Sequence, residues 1–102
     1  MNTLNDTLIE KEKVNLETST IPWKELQRFF ASGCAVFVDS SLDLVEVGYQ
    51  FSVDNKELVS HWLQNNRIAL VNDQQALEWL ETDADVWAVV VKPWILVQAI
   101  TG

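Results

Sequence analysis

Residues 86–100 read VWAVVVKPWILVQAI, and the reading of this block decides the fold. Valine-rich alternation joined to fully apolar segments is the pattern of buried β-structure. The block is short of the roughly 20 residues that a membrane-spanning helix needs, and Lys92 and Pro93 interrupt it. Kept straight it would extend for more than about 40 Å, whereas a domain of this size has a radius of gyration of about 13 Å. It therefore turns back on itself. Pro93 lacks an N–H and fixes its own φ, which marks it as the corner. Two strands are expected, 86–91 and 94–100, the first apolar on both faces and therefore central.

Upstream, Asn72 and Gln75 form a capping pattern, and Ala76, Leu77, Trp79 and Leu80 share one face of a helix reaching to about 82. Residues 68–71 read as a short strand. Before it, Asp54 and Glu57 make a capping box, with Val53 and Leu58 placed as its hydrophobic staple. The helix they open, 55–65, is expected to bury Leu58, Val59, Trp62 and Leu63 and to end at Asn65-Asn66. The wording Asn55…Trp62-Leu63 returns as Asn72…Trp79-Leu80, which is read as two helices packing alike rather than as an internal repeat.

Residues 45–53 admit two readings. Every odd position is apolar (Val45, Val47, Tyr49, Phe51, Val53), and that period of two favours a half-buried strand, with Gly48 allowing another element to approach closely. A capping box of Asp43 and Glu46 would instead start a helix. The strand is the preferred reading. Further upstream, Asp39-Ser40-Ser41 is turn chemistry and Ala35 to Val38 a short buried strand. Trp23, Leu26 and Phe30, with Phe29 beside them, lay an aromatic stripe along a helix over 21–32. Thr18, Ser19 and Thr20 supply its capping hydroxyls, Pro22 sits in its first turn, and Gly33 stops it in a left-handed conformation. Residues 1–17 are polar and mixed in charge, and read as a frayed segment.

A chain of 102 residues is one domain, here 18–102, large enough to bury roughly 60–70% of its unfolded surface. Hydrophobic residues make up 48%, too many for a disordered chain. The net charge of −8, with seven basic residues scattered singly or in pairs, argues against nucleic acid and against an anionic membrane as partner. Cys34 is the sole cysteine and cannot form an internal disulfide. With a polar opening segment in place of a signal sequence, a cytoplasmic location is expected.

Few residues offer chemistry. His61 is the sole histidine and lies away from the apolar stripe of its helix, which places it at the rim. One His and one Cys do not make a zinc site or a nucleophile–base pair. Cys34 follows a helix C-terminus, where the partial charge opposes a thiolate, and reads as a small core residue. Glu81, Asp83 and Asp85 resemble the opening of a calcium loop, but Val86 stands where that loop needs glycine and Lys92 where it needs glutamate. Asp39, Asp43 and Glu46 could converge near one turn to bind a divalent cation or act as an acid–base pair, but turn and cap duties explain Asp39 and Asp43 more simply. Gly33, Gly48 and Gly102 are the three glycines, too few and too dispersed for a phosphate-cradling loop. No catalytic, cofactor or metal residue is assigned, and the balance is against an enzyme. Trp23, Trp62 and Trp79 read as core. Trp94 differs, because with Lys92 and Gln98 it interrupts an otherwise buried surface and would anchor a partner if its strand lay at the sheet edge, although core or corner packing is the preferred reading.

Several stretches read together carry a resemblance: Asn15-Leu16-Glu17-Thr18, Ile21-Pro22-Trp23, Glu25 to Ala31, Leu42 to Val47, Trp62, Val89 to Val91, Pro93-Trp94 and Leu96 to Gln98. Over about residues 15–98 the chain resembles the bacterial domain of unknown function 2288 family. The resemblance implies a stand-alone bacterial cytoplasmic protein and carries no activity, substrate or cofactor with it.

The expectation is therefore a single α+β domain, a mixed sheet of about five short strands with two or three helices packed on it. The expected function is a small non-enzymatic interaction or regulatory module, with a protein partner or self-association and Lys92, Trp94 and Gln98 as the interaction residues. The alternative is a small-ligand-binding protein or an enzyme of unrecognised type, with a Trp-lined pocket and Glu46, Tyr49 or Lys92 as polar contacts.

Overall fold

The computed structural model describes residues 17–100. Along them run β1 (Ser19–Pro22), a 3-10 turn (Trp23–Leu26), α1 (Gln27–Ala31), β2 (Ala35–Val38) and α2 (Leu44–Ser52). There follow α3 (Lys56–Gln64), β3 (Ile68–Leu70), α4 (Asp73–Glu81), β4 (Asp85–Val91) and β5 (Trp94–Ala99). The five strands form one mixed sheet in the order β1-β4-β5-β2-β3. The fold is α+β, with four α-helices among the described residues, slightly more than expected. None of these helices is long and apolar enough to cross a membrane. The expectation of a frayed N-terminal segment falls on residues 1–16, outside the described residues.

The closing block folds back where Pro93 placed the corner. Val91 and Trp94 face each other across the Lys92–Pro93 turn, and the antiparallel register runs down to Val86 opposite Ala99. The expectation that residues 86–91 are the central strand is corrected. β5 is the middle strand, antiparallel to β4 and parallel to β2, and Ile95, Leu96 and Val97 are all buried. β4 is interior too, yet Trp87 and Val90 remain exposed on it, because its apolar run is only partly roofed.

The strand count of five is met by a different set of five. Residues 44–52 form α2, not a strand. Asp43 caps it, its side chain accepting from the Val45 N–H at 2.9 Å. Leu44, Val47, Gly48 and Phe51 stand at i, i+3, i+4 and i+7, a helical stripe that the alternation of apolar residues had masked. Three of them are buried. The fifth strand is β1, formed by residues read as helix caps. Ser19 to Pro22 pair with Ala88 to Asp85 of β4, and the β-branched Thr20 and Ile21 suit that role. Pro22 ends this edge strand, where a missing donor is tolerated. The aromatic helix accordingly starts later, as a 3-10 turn that becomes α1 at Gln27.

One chain-reversal device closes all four helices. After each C-terminus a residue adopts positive φ: Gly33 at 72°, Asp54 at 56°, Asn66 at 57° and Asp83 at 51°. The next N–H in each case reaches back five residues, Cys34 to Phe29, Asn55 to Gln50, Arg67 to Trp62 and Ala84 to Trp79, at 2.8–3.0 Å. These are Schellman closures, which satisfy carbonyls that the helix leaves free. They also move one cap. Asp54 terminates α2, so Asn55 caps α3 instead, accepting from Leu58 N at 3.2 Å. Asn72 caps α4 as read, accepting from Gln75 N at 2.8 Å.

Helices cover both faces of the sheet and create two cores. Val36, Val38, Leu44, Val47, Trp62, Ile68, Val89 and Leu96 are buried beneath α2 and α3. On the opposite face Trp23 is fully buried among Leu26, Ala35, Ala76, Val86, Ile95 and Val97. Its ring meets Trp79 edge-on at 5.0 Å and Phe30 at 6.0 Å. Cys34 is half-buried rather than core. The apolar faces of α3 and α4 are wider than the sheet can cover: Leu63, Leu77 and Leu80 are about half exposed.

Asp39 holds the loop after β2. Hydrogen bonds from Ser41, side chain and then backbone, hold its carboxyl below the ordinary 3.8 against an opposing desolvation, and the Arg67 guanidinium adds a smaller lowering. A depressed folded value means that the ionised form stabilises the fold above about pH 3.8, and that this contribution is lost as pH falls through the lowered value. Asp39→Asn should therefore reduce stability at neutral pH, and urea melts of the two proteins should converge in strong acid.

Candidate functional site

The covering of the α2/α3 face is incomplete near the β4–β5 turn, and a groove of about 650 Å³ opens there. Val36 and Ile68 form its floor, and Phe51, Val59 and Leu63 its helical wall. Leu70 from β3 and Trp94 from the head of β5 close the other side. Each position has a local cause. Phe51 ends the helical stripe of α2, whose Schellman turn swings the chain away and leaves the ring on the groove. Leu63 lies on the flank of α3 that overhangs the sheet. Leu70 shares a face with Ile68 on the edge strand and is 57% exposed. Polar groups lie at the mouth: Ser52, Asp54, Lys56 and Lys92. Lys56 Nζ stands 3.8 Å from the Asp54 carboxylate, both largely exposed, a geometry worth little in stability.

The structure separates the three residues singled out for interaction. Lys92 and Trp94 both border the groove. Trp94 is half-buried and also packs against the core beneath α2 and α3. The condition attached to it, an edge position for its strand, is not met, since β5 is the middle strand. Gln98 lies toward the other end of β5. Its Nε2 donates to the carbonyls of Asp39 at 3.0 Å and Leu42 at 2.8 Å, fastening the β2–α2 loop to the sheet. Gln98→Ala leaves both carbonyls without this donor and should cost about 1–3 kcal/mol in urea unfolding. Gln98→Glu should cost more at neutral pH, because a carboxylate would face two acceptors.

Glu46 and Tyr49, named as pocket contacts, are not on the groove. Glu46 Oε1 accepts from Gln50 Nε2 at 2.9 Å, and the Tyr49 carbonyl accepts from the Ser52 hydroxyl at 2.7 Å. The three acids expected near one turn serve separate partners: Asp39 with Ser41 and Arg67, Asp43 with Val45, and Glu46 with Gln50. Among the described residues no group of three His, Cys, Asp or Glu is disposed to hold a metal ion. His61 is exposed on α3, beside the Asn65 side chain. Phe51, Leu63 and Leu70 were missed as groove residues. The available signal was an apolar stripe on α3 broader than a short strand pair can cover.

The sequence model of a family described as protein of unknown function (DUF2288) matches residues 9–99. The match begins upstream of the resemblance read from the residues. Among solved structures, the chain is similar to the NMR solution structure of PA1075 from Pseudomonas aeruginosa, with 38% sequence identity and a TM-score of 0.79. That likeness covers 95% of this chain and 87% of the other. No curated protein matches the chain.

Proposed function

Because this chain belongs to the DUF2288 family of proteins of unknown function, we propose its role from the groove itself: a non-enzymatic binding module that takes up a small, largely apolar molecule. The observation that carries this reading is a cavity of about 650 Å³ with aromatic and aliphatic walls. That lies within the roughly 300–1,000 Å³ usual for small-ligand sites, which are mostly apolar with a few polar groups to set orientation. Free Leu63 and Leu70 lose about half of their cover to solvent, and a ligand would restore it.

A binding role fits the groove better than a catalytic one. Ser52 is the one hydroxyl among its described lining residues, and it donates to the Tyr49 carbonyl instead of to a base. Lys56 and Asp54 face each other and no imidazole or thiol joins them. Partner binding through β3 is less well supported. That edge strand has three residues, and very short edges resist strand addition.

Titration calorimetry with decanol tests the reading. Saturable 1:1 binding with a negative heat-capacity change is expected from apolar burial. Absence of saturable heat across a temperature series, with no displacement of resonances from groove residues, would overturn it.

A further inference from the structure

We infer that the groove selects an amphipathic monoanion, an apolar body carrying one carboxylate, and that Lys92 is the residue that reads the charge. The inference rests on the groove being the binding site. It comes from how the chain distributes its few cations. The protein carries 15 acidic and seven basic residues, so an ammonium group without a carboxylate neighbour is unusual in it. Lys24 lies 3.8 Å from Asp83, Lys56 3.8 Å from Asp54, and Arg67 3.6 Å from Asp39. Arg28 rests its guanidinium 5.6 Å over the Phe29 ring. Among the described residues, Lys92 alone of the cations has neither. It stands at the tip of the β4–β5 hairpin, at the mouth of the apolar groove.

The charge at that mouth sets the ligand's charge. Lys56 and Asp54 cancel, which leaves the single positive charge of Lys92. One carboxylate matches it. A dianionic phosphate would bring a second charge toward Asp54 without a donor, and the groove has no glycine-rich backbone cradle to receive it. Lysine suits the position because its stem can lie along apolar surface while the ammonium stays in water. The apolar body would then fill the space between Val59, Leu63, Leu70 and Trp94. A carboxylate held by an ammonium makes a charge-assisted hydrogen bond, stronger than a neutral one.

The test compares decanoate with decanol, the same chain with and without the charge, by calorimetry at about 0.15 M salt, where distant carboxylates are screened. Lys92→Gln should weaken decanoate by about three- to tenfold more than it weakens decanol, a range discounted for an exposed site. Lys92→Arg should restore decanoate binding. Lys92 is exposed, so both variants should melt with the wild type, and thermal unfolding checks that they do. Decanol binding with no decanoate binding, or an equal effect of Lys92→Gln on both probes, overturns the monoanion inference and leaves the groove reading intact. Failure of both probes to bind the wild type overturns the groove reading and the inference with it.

Discussion

Trp23→Ala will be the most destabilising single change in this chain, at about 3–5 kcal/mol. Domains of this size are stable by about 5–15 kcal/mol in total, so the variant will retain little reserve. Trp23 is 0% exposed and sits where the 3-10 turn, α4 and the middle of the sheet meet. Its backbone N–H donates to the Ala84 carbonyl at 2.9 Å, so the residue joins the start of the domain to the start of β4 by main chain and side chain together. Removing the indole deprives Trp79 and Phe30 of their edge contacts and opens a cavity that a sheet cannot close around. Trp23→Phe should be much milder. The ring remains, and the change deletes Nε1, a buried donor with no acceptor among the described residues, which itself carries a desolvation cost. Urea unfolding of the two variants decides it. Near-equal costs, or an alanine variant within about 1 kcal/mol of wild type, would contradict the placing of the second core around this residue.

Leu63→Glu should weaken decanol binding at least tenfold while leaving the fold intact. Leu63 is 51% exposed on the flank of α3, so a glutamate there has water available and should change stability by less than about 0.5 kcal/mol. With ligand bound, the same carboxylate would be forced against an apolar body. A ligand can cover only the exposed half of Leu63, so loss of the leucine contact removes about 0.8–1.5 kcal/mol of burial, and desolvating the carboxylate adds to that. A drop in affinity of at least tenfold follows. Calorimetry of wild type and variant, with thermal melts as the control, measures it. Undiminished decanol affinity in a normally folded variant would place the ligand elsewhere.

The fold was legible where local and long-range signals agree. The closing block turned at Pro93, and Gly33 and Asn72 acted as read, because turn and cap geometry depends on a few adjacent residues. Two elements were misread for opposite reasons. In α2 the apolar residues satisfy both a period of two and a helical stripe, and the Asp43 cap decided between them. In β1 the residues Ser19 to Pro22 are compatible with a cap or a strand. Pairing with β4, a contact distant in sequence, settled the matter.

The left-handed residue Asp54 gave no glycine signal, so the closure of α2 was hidden and the α3 cap was placed one residue early. The groove was half legible. Lys92 and Trp94 stood out because they break an apolar run, and both line it. Leu63 read as core because a hydrophobic stripe reports which residues prefer burial, not how far the neighbouring strand extends to bury them. Gln98 stood out for the same reason as Lys92, and its role is internal, tying a loop to the sheet.

The most direct test of the groove as the working site is an amide-resonance titration of isotope-labelled protein with decanol. Shifts should concentrate at Phe51, Val59, Leu63, Leu70 and Trp94, saturate together, and need at least tenfold more decanol in Leu63→Glu. Shifts that gather instead around Thr20 and Trp87, where β1 pairs with β4, or that never saturate, would contradict a binding site between α3 and the β4–β5 turn.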